Sequence, residues 1–220
     1  IITDTKTPLT GGLVFILFFI LVPTHENFIL LITITLLYTV GLMSDLNYLS
    51  SPFKRIILQS FLILVFVLSA DLTVKSLSLD IFDHLLEFKT VNIFFVLFCL
   101  LVLINGFNFL DGINTLVIGN FLTCLFFLYY VSTEFDLLLD FLLIEILISI
   151  LIIIFIFNFF GKSFMGDSGT YSVSFLIGYI CINFAYENFL IVSPYFIACL
   201  LWYPAIENLF SILRRLFTKN

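Results

Sequence analysis

The chain has 220 residues, 62% of them hydrophobic and 11% charged, with a formal net charge of −6 and a mean hydropathy of +1.23. A soluble domain carries roughly 25% charged residues, so this much apolar surface exceeds what one core of this size encloses, and lipid is the expected solvent. The negative balance excludes an electrostatic nucleic-acid partner.

Eight apolar runs follow one another, near residues 12–23, 28–43, 55–70, 91–104, 116–132, 138–157, 170–184 and 189–204. A spanning helix needs about 20 residues, so several of these runs are short for a full span, and the 30 Phe suit lipid-facing surfaces. The fold class expected is all-α: a polytopic membrane helix bundle of about eight spans, forming a single integral-membrane domain over residues 1–220. Pro23, Pro52, Pro194 and Pro204 lie at or near run ends, where helices tolerate proline best. A β-barrel is excluded by stretches such as residues 147–157, which are continuously apolar and lack period-2 alternation. The long loop at residues 71–90 alternates somewhat over residues 72–79, which predicts a short hairpin. Cys99, Cys124, Cys181 and Cys199 sit in apolar runs without CxxC spacing and read as small hydrophobes. Residue 1 is Ile, and no signal segment precedes the first run, so the chain reads as a piece truncated at both ends.

Charge sets the orientation. Lys6, Lys54, Arg55, Lys162, Arg214, Arg215 and Lys219 fall on one side by parity, against Lys75 and Lys89 on the other. The positive-inside rule makes the first side cytoplasmic. The other side collects Glu26, Asp71, Asp80, Asp83, Glu87, Glu134, Asp136 and Glu187, a solvated acidic face, together with His25 and His84.

Three cytoplasmic loops concentrate the polar chemistry. The first runs from Gly41 through Ser44 and Asp45 to Ser51, Pro52, Lys54, Arg55 and Gln59. The second holds Asn105, Asn108, Asp111, Gly112 and Asn114; the third reads Phe164, Met165, Gly166, Asp167, Ser168, Gly169, Thr170. Each carries an Asp where a helix meets the membrane boundary. Converging carboxylates suit a hard divalent cation such as magnesium, which bridges one or two of them to substrate phosphates. Lys54 and Arg55 can bond phosphate oxygens, and unpaired amides at Ser168, Gly169 and Thr170 would favour an anion at a helix start. Plainer readings stand beside these. Each Asp alone reads as a helix cap, Asn105 and Asn108 can satisfy loop backbone, and the basic residues can serve as topology anchors. Asp140 reads as interfacial, and Glu145 lies deeper with no assigned role.

Taken together, the loops resemble the family of undecaprenyl-phosphate N-acetylglucosaminyl-1-phosphate transferases and phospho-N-acetylmuramoyl-pentapeptide transferases. Thr7-Pro-Leu-Thr-Gly-Gly12 is similar to its Pro-x-x-Gly-Gly motif, and residues 41–59 to its Gly-x-x-Asp-Asp…Ser-Pro…Lys…Gln segment. Residues 105–114 resemble Asn-x-x-Asn-x-x-Asp-Gly-x-Asp, residues 164–169 Phe-Met-Gly-Asp-Ser-Gly, and Pro204 to Leu209 with Arg214 and Arg215 a Pro-x-x-Asp-Thr-Leu…Arg-Arg segment. The resemblance implies transfer of a sugar-1-phosphate, of the N-acetylglucosamine type, from a UDP-N-acetylhexosamine to undecaprenyl phosphate with release of UMP. That is a first membrane step of a cell-envelope polysaccharide, at the cytoplasmic face of a bacterial plasma membrane. It implies Mg2+, or Mn2+, at Asp167 with Asp45. Asp45, Asp111, Asn105, Asn108 and Lys54 are then the catalytic positions, and Arg55, Ser168, Gly169 and Asn114 the substrate-binding ones. A homodimer is compatible with it. Ser44 departs from the family's paired Asp, Asn114 replaces a later Asp, and Glu207 stands where Asp is usual. Ser44 keeps a non-catalytic homologue open as an alternative. A small-solute transporter fits less well, because such proteins place polar groups near the bilayer midplane and these lie at one edge.

Overall fold

The computed structural model describes residues 8–20, 28–112 and 115–218. Among them are nine α-helices and no strand: α1 (Gly11–Ile20), α2 (Phe28–Asp45), α3 (Pro52–Ala70), α4 (Asp80–Leu86), α5 (Lys89–Leu110), α6 (Leu116–Phe135), α7 (Phe141–Phe159), α8 (Gly166–Glu187) and α9 (Pro194–Thr218). Six of these, α2, α3, α5, α6, α7 and α9, are long and apolar enough to cross a membrane. The chain is a polytopic helix bundle, as its composition leads one to expect. Asn114 lies outside the described residues, as do Lys6, Thr7, Pro23, His25, Glu26 and Lys219.

The outer helices present apolar side chains outward. On α3, Phe53, Ile57, Phe61, Val65 and Leu68 are exposed at helical spacing, while Ile63, Phe66 and Val67 turn inward. On α7, Ile152, Ile153, Ile156 and Phe157 are exposed in the same way. In water such surface would be a large liability; in lipid it is solvated.

Helix α8 is the opposite case. Sixteen of its 22 residues are buried, among them Ser168, Thr170, Ser172 and Ser174. It packs against α1, α2, α5, α6 and α9 and forms the axis of the bundle. Three of these hydroxyls are satisfied within the helix. Thr170 Oγ1 donates to the Gly166 carbonyl (2.6 Å), Ser172 Oγ to that of Ser168 (2.6 Å), and Ser174 Oγ to that of Thr170. Back-bonding of this kind lets small polar residues enter an apolar interior and brings helix backbones close. The start of α8 is wedged between two glycines. A methyl group on Gly12 would stand 2.5 Å from the Gly169 nitrogen, and one on Gly41 would stand 2.5 Å from the Asp167 carbonyl oxygen. No side chain fits at either position.

The segment before α1 is stitched to the segment before α8. Phe164 N donates to Pro8 O (3.1 Å), Gly11 N to Phe164 O (2.9 Å) and Gly12 N to Met165 O (3.1 Å). Asn158 holds the adjoining turn, donating to the Ser163 carbonyl at 2.7 Å and accepting from the Thr115 amide at 2.5 Å.

Three sequence expectations need correction. The hairpin predicted at residues 72–79 does not form. This stretch is irregular because buried Asn92 takes both backbone groups of Val74, accepting from its amide (2.9 Å) and donating to its carbonyl (2.7 Å). A side chain thus supplies the bonds a partner strand would have made. Pro204 does not mark a helix end: it lies inside α9, with its carbonyl against Gly106 of α5. Asn208, one turn on, donates to the Val102 carbonyl of α5 at 3.2 Å and ties the two helices together. Finally, α5 runs on to Leu110 and α8 begins at Gly166, so Asn105, Asn108 and Asp167 sit on helices and not in loops. The four cysteines are free thiols, with Cys124 and Cys181 touching at 3.6 Å across α6 and α8.

Candidate active site

The ends of α2, α3 and α5 meet the start of α8, and their polar residues converge there. The first amides of a helix have no partner within it, and two carboxylates from other helices take up three of them. Asp45, the last residue of α2, accepts from Asp167 N (Oδ1, 2.9 Å) and Ser168 N (Oδ2, 3.1 Å). Asp111, at the end of α5, accepts from Gly166 N at 2.9 Å. The amides expected to await an anion at this helix start are therefore in use at residues 166–168. The capping reading and the convergence reading hold together, since the caps come from distant helices and carry three Asp to one point.

Asp167 itself faces the cluster with both oxygens engaged. Oδ1 accepts from Asn108 Nδ2 at 2.5 Å. Oδ2 accepts from Ser44 Oγ (2.5 Å), Arg55 Nη1 (2.8 Å) and the Tyr171 hydroxyl (3.4 Å). Arg55 Nη1 also donates to Ser44 Oγ at 2.8 Å. Asn105, one turn before Asn108 on α5, donates to Gln59 Oε1 at 3.2 Å and to the Leu101 carbonyl at 2.9 Å. Gln59 is fully buried, and its Nε2 has no hydrogen-bond partner among the described residues.

Of the candidate residues, the structure brings together Asp45, Asp111, Asp167, Asn108, Arg55 and Ser168. Asn105, one turn behind Asn108, bonds Gln59 and its own helix, and no bond joins either residue to Asp167 among the described residues. Gly169 is packed on Gly12 and forms part of the helix-to-helix contact. Lys54 is exposed beside Arg55, and no bond joins it to the cluster among the described residues.

The family model of glycosyl transferase family 4 matches residues 27–185, more than half of the chain. The chain belongs to glycosyl transferase family 4. The match covers α2 through most of α8 and so includes every residue of the cluster. Membership makes the protein a glycosyl-1-phosphate transferase in general terms, working between a sugar-phosphate donor and a polyprenyl phosphate acceptor. No curated protein matches the chain significantly.

In the transferase, Asp111 has an unusual proton affinity. Burial pushes its carboxyl up to about 7; the Gly166 amide opposes this, and the charges of Asp167 and Asp45 add to it. A carboxyl that titrates near neutrality can exchange a proton at working pH.

Sequence reasoning missed three residues as site members: Ser44, Gln59 and Tyr171. Ser44 registers only as a departure from the family pattern, yet its hydroxyl bridges Arg55 and Asp167. Gln59 stands in a quoted motif but looks like one polar residue among many in an amphipathic turn. Tyr171 is four residues after Asp167, so the signal was present: on a helix, that spacing places the two side chains on one face.

Among the described residues no three His, Cys, Asp or Glu side chains gather at metal-ligand spacing. The donors at Asp167 are nonetheless of the right kind. They are carboxylate oxygens, and magnesium needs only one or two protein carboxylates when phosphates and water complete its shell.

Proposed function

We propose that the protein transfers an N-acetylhexosamine 1-phosphate, of the N-acetylglucosamine type, from its UDP conjugate to undecaprenyl phosphate, releasing UMP. The observation that carries this reading is the single cluster at the start of α8. There a guanidinium donor (Arg55) and an amide donor (Asn108) bond one carboxylate, Asp167, and a proton-exchanging acid (Asp111) sits on the neighbouring Gly166 amide. Phosphoryl transfer asks a protein chiefly for positioning and neutralisation of charge, and this inventory suits both.

In this reading Asp167 would hold a magnesium ion, which when bound would supply charge neutralisation to the donor diphosphate. Asp45, with both oxygens on α8 amides, keeps Asp167 in place. Arg55 and Asn108 orient phosphate oxygens through charge-assisted and amide hydrogen bonds. Asp111 in its ionised form accepts the remaining proton of the acceptor phosphate and so raises its nucleophilicity.

The acceptor's hydrocarbon has a matching surface. A groove of about 490 Å³ runs between α5 and α9, lined by Phe95, Phe98, Cys99, Val102, Leu201 and Trp202 among others. It reaches Ile206, within a turn of the Pro204 contact with Gly106. Its almost wholly apolar lining suits a prenyl chain entering from the bilayer. The excess of Lys and Arg on the cluster's side supports a cytoplasmic active site in a bacterial plasma membrane.

The test uses protein purified in detergent and returned to vesicles containing undecaprenyl phosphate. It is assayed with a panel of UDP-sugars with and without Mg2+. Expected is UMP release with a UDP-N-acetylhexosamine, dependent on both the prenyl phosphate and the ion. Absence of UMP with every donor would refute the reading.

A further inference from the structure

The carboxylate assigned to the divalent cation is already bound by a cation of the chain itself. Arg55 Nη1 lies 2.8 Å from Asp167 Oδ2 and 2.8 Å from Ser44 Oγ, while Ser44 Oγ lies 2.5 Å from the same carboxylate oxygen. The three atoms form a closed triangle in which one guanidinium nitrogen is held by a hydroxyl and a carboxylate at once. A magnesium ion binds its oxygens at about 2.1 Å. Arg55 and Ser44 each place a hydrogen on Oδ2, which has two lone pairs, so an ion takes this oxygen only by displacing one of them, and two cations crowded on one oxygen repel.

We propose that Arg55 is a latch on Asp167: guanidinium and divalent cation compete for this carboxylate, and Ser44 biases the competition by holding Arg55 in the latched position. This inference rests on the metal role given to Asp167 above. The pair is placed for such an exchange, since the Arg55 and Asp167 side chains are 23% and 24% exposed. They are open enough for Arg55 to swing away, yet covered enough for their attraction to persist in salt. A guanidinium displaced by the ion keeps its fork of donors, which match phosphate geometry. Cation entry and phosphate capture then become one exchange, in which Asp167 releases Arg55 as the nucleotide's phosphates receive it. Serine at position 44 is what makes the latch reversible. Its hydroxyl accepts from Arg55 without adding a negative charge that would hold the guanidinium permanently. It also donates to Oδ2, which lowers that oxygen's avidity for a metal ion.

The experiment is a Mn2+ titration followed by electron paramagnetic resonance of the unbound ion, on purified full chain in detergent, without nucleotide. Arg55→Gln is expected to tighten Mn2+ binding by about tenfold, the scale of one charge-assisted hydrogen bond. Ser44→Ala is expected to tighten it by a smaller factor, and Arg55→Lys, which keeps the charge, to stay within about twofold of the parent. In Arg55→Gln the KM for the UDP-sugar should rise while metal binding tightens, an opposition that loss of structure does not produce. Ser44→Ala removes one hydroxyl and carries the test if Arg55→Gln misfolds. Mn2+ affinity unchanged or weakened in both variants overturns the latch, and leaves the metal reading standing if the parent binds the ion. Failure of the parent and all variants to bind Mn2+ overturns the metal reading and the latch together.

Discussion

Asp83 and Asp111 lie at opposite ends of the bundle and make nearly the same bond. Asp83, on α4, accepts from the Leu77 amide at 2.6 Å and from Ser76 Oγ at 2.7 Å; Asp111 accepts from the Gly166 amide at 2.9 Å. Their proton affinities nevertheless move in opposite directions. The Leu77 amide, followed by Ser76, holds the partly exposed Asp83 below the usual carboxylate range, whereas burial drives Asp111 up to about 7. A backbone N–H stabilises a carboxylate in both places, but only at the α8 end does loss of water outweigh it. Neighbouring like charges, Asp167 and Asp45, act in the same direction there. The far end uses its acids to order loops in water, and the near end concentrates them where water is scarce.

The strongest way to break this contrast is at the centre of the cluster. Asp167→Asn keeps the shape and removes the charge; sugar-phosphate transfer should fall by about a thousandfold or more, measured as UMP release. Retained turnover would reduce the cluster to a structural knot. Asp111→Asn comes next, with an expected loss of about a hundredfold. In the parent the rate should climb as pH rises through about 7, because the ionised carboxylate is the active form, and the variant should lose that limb. Stability runs the other way. Because the folded value lies above the unfolded one, Asp111 favours the fold in acid, and that contribution is lost as pH rises through about 7. A pH–rate profile together with thermal midpoints checks both signs.

Gly41→Ala tests the geometry that assembles the near end. Its added carbon meets the Asp167 carbonyl and Ser168, so overpacking should cost roughly 1–3 kcal/mol, read as a lowered Tm in detergent. The smallest effect belongs to the far end. Asp83→Asn should leave transfer unchanged and speed hydrogen exchange at Leu77. In the parent that ordering should survive down through the ordinary carboxylate range and be lost only as pH falls through the depressed value.

Much of this was legible in the sequence. Composition gave the bundle, parity put Asp45, Asp111 and Asp167 at one end, and five motifs in order gave the family. The misses share a cause. Hydropathy windows mark where a chain is apolar, and α8 opens with polar residues that are buried only because their hydroxyls bond back along the helix. Its start at Gly166 was therefore hidden behind a run that seemed to begin at 170. Asn105 and Asn108 extend α5 past its apolar stretch, Asn105 by bonding back to the Leu101 carbonyl and Asn108 by bonding across to Asp167. Asn92 defeated the hairpin expectation through a contact that local alternation cannot reveal. Ser44 was readable as a lost carboxylate, but its bond to a guanidinium 11 positions later required the turn between α2 and α3 to be seen in space.

The backbone stitching of residues 8–12 to residues 163–165 and the glycine contacts of α8 have a mechanical corollary. Main chain meets main chain where α8 passes Gly12 of α1 and Gly41 of α2, which leaves little that can compress at those points. Arg55 on α3 and Asn108 on α5 instead reach Asp167 through side chains with rotatable bonds. Asp45 and Asp167 are thus anchored to a rigid wall, and whatever compliance a turnover cycle demands falls to α3 and α5, which carry Arg55, Asn108 and Asp111.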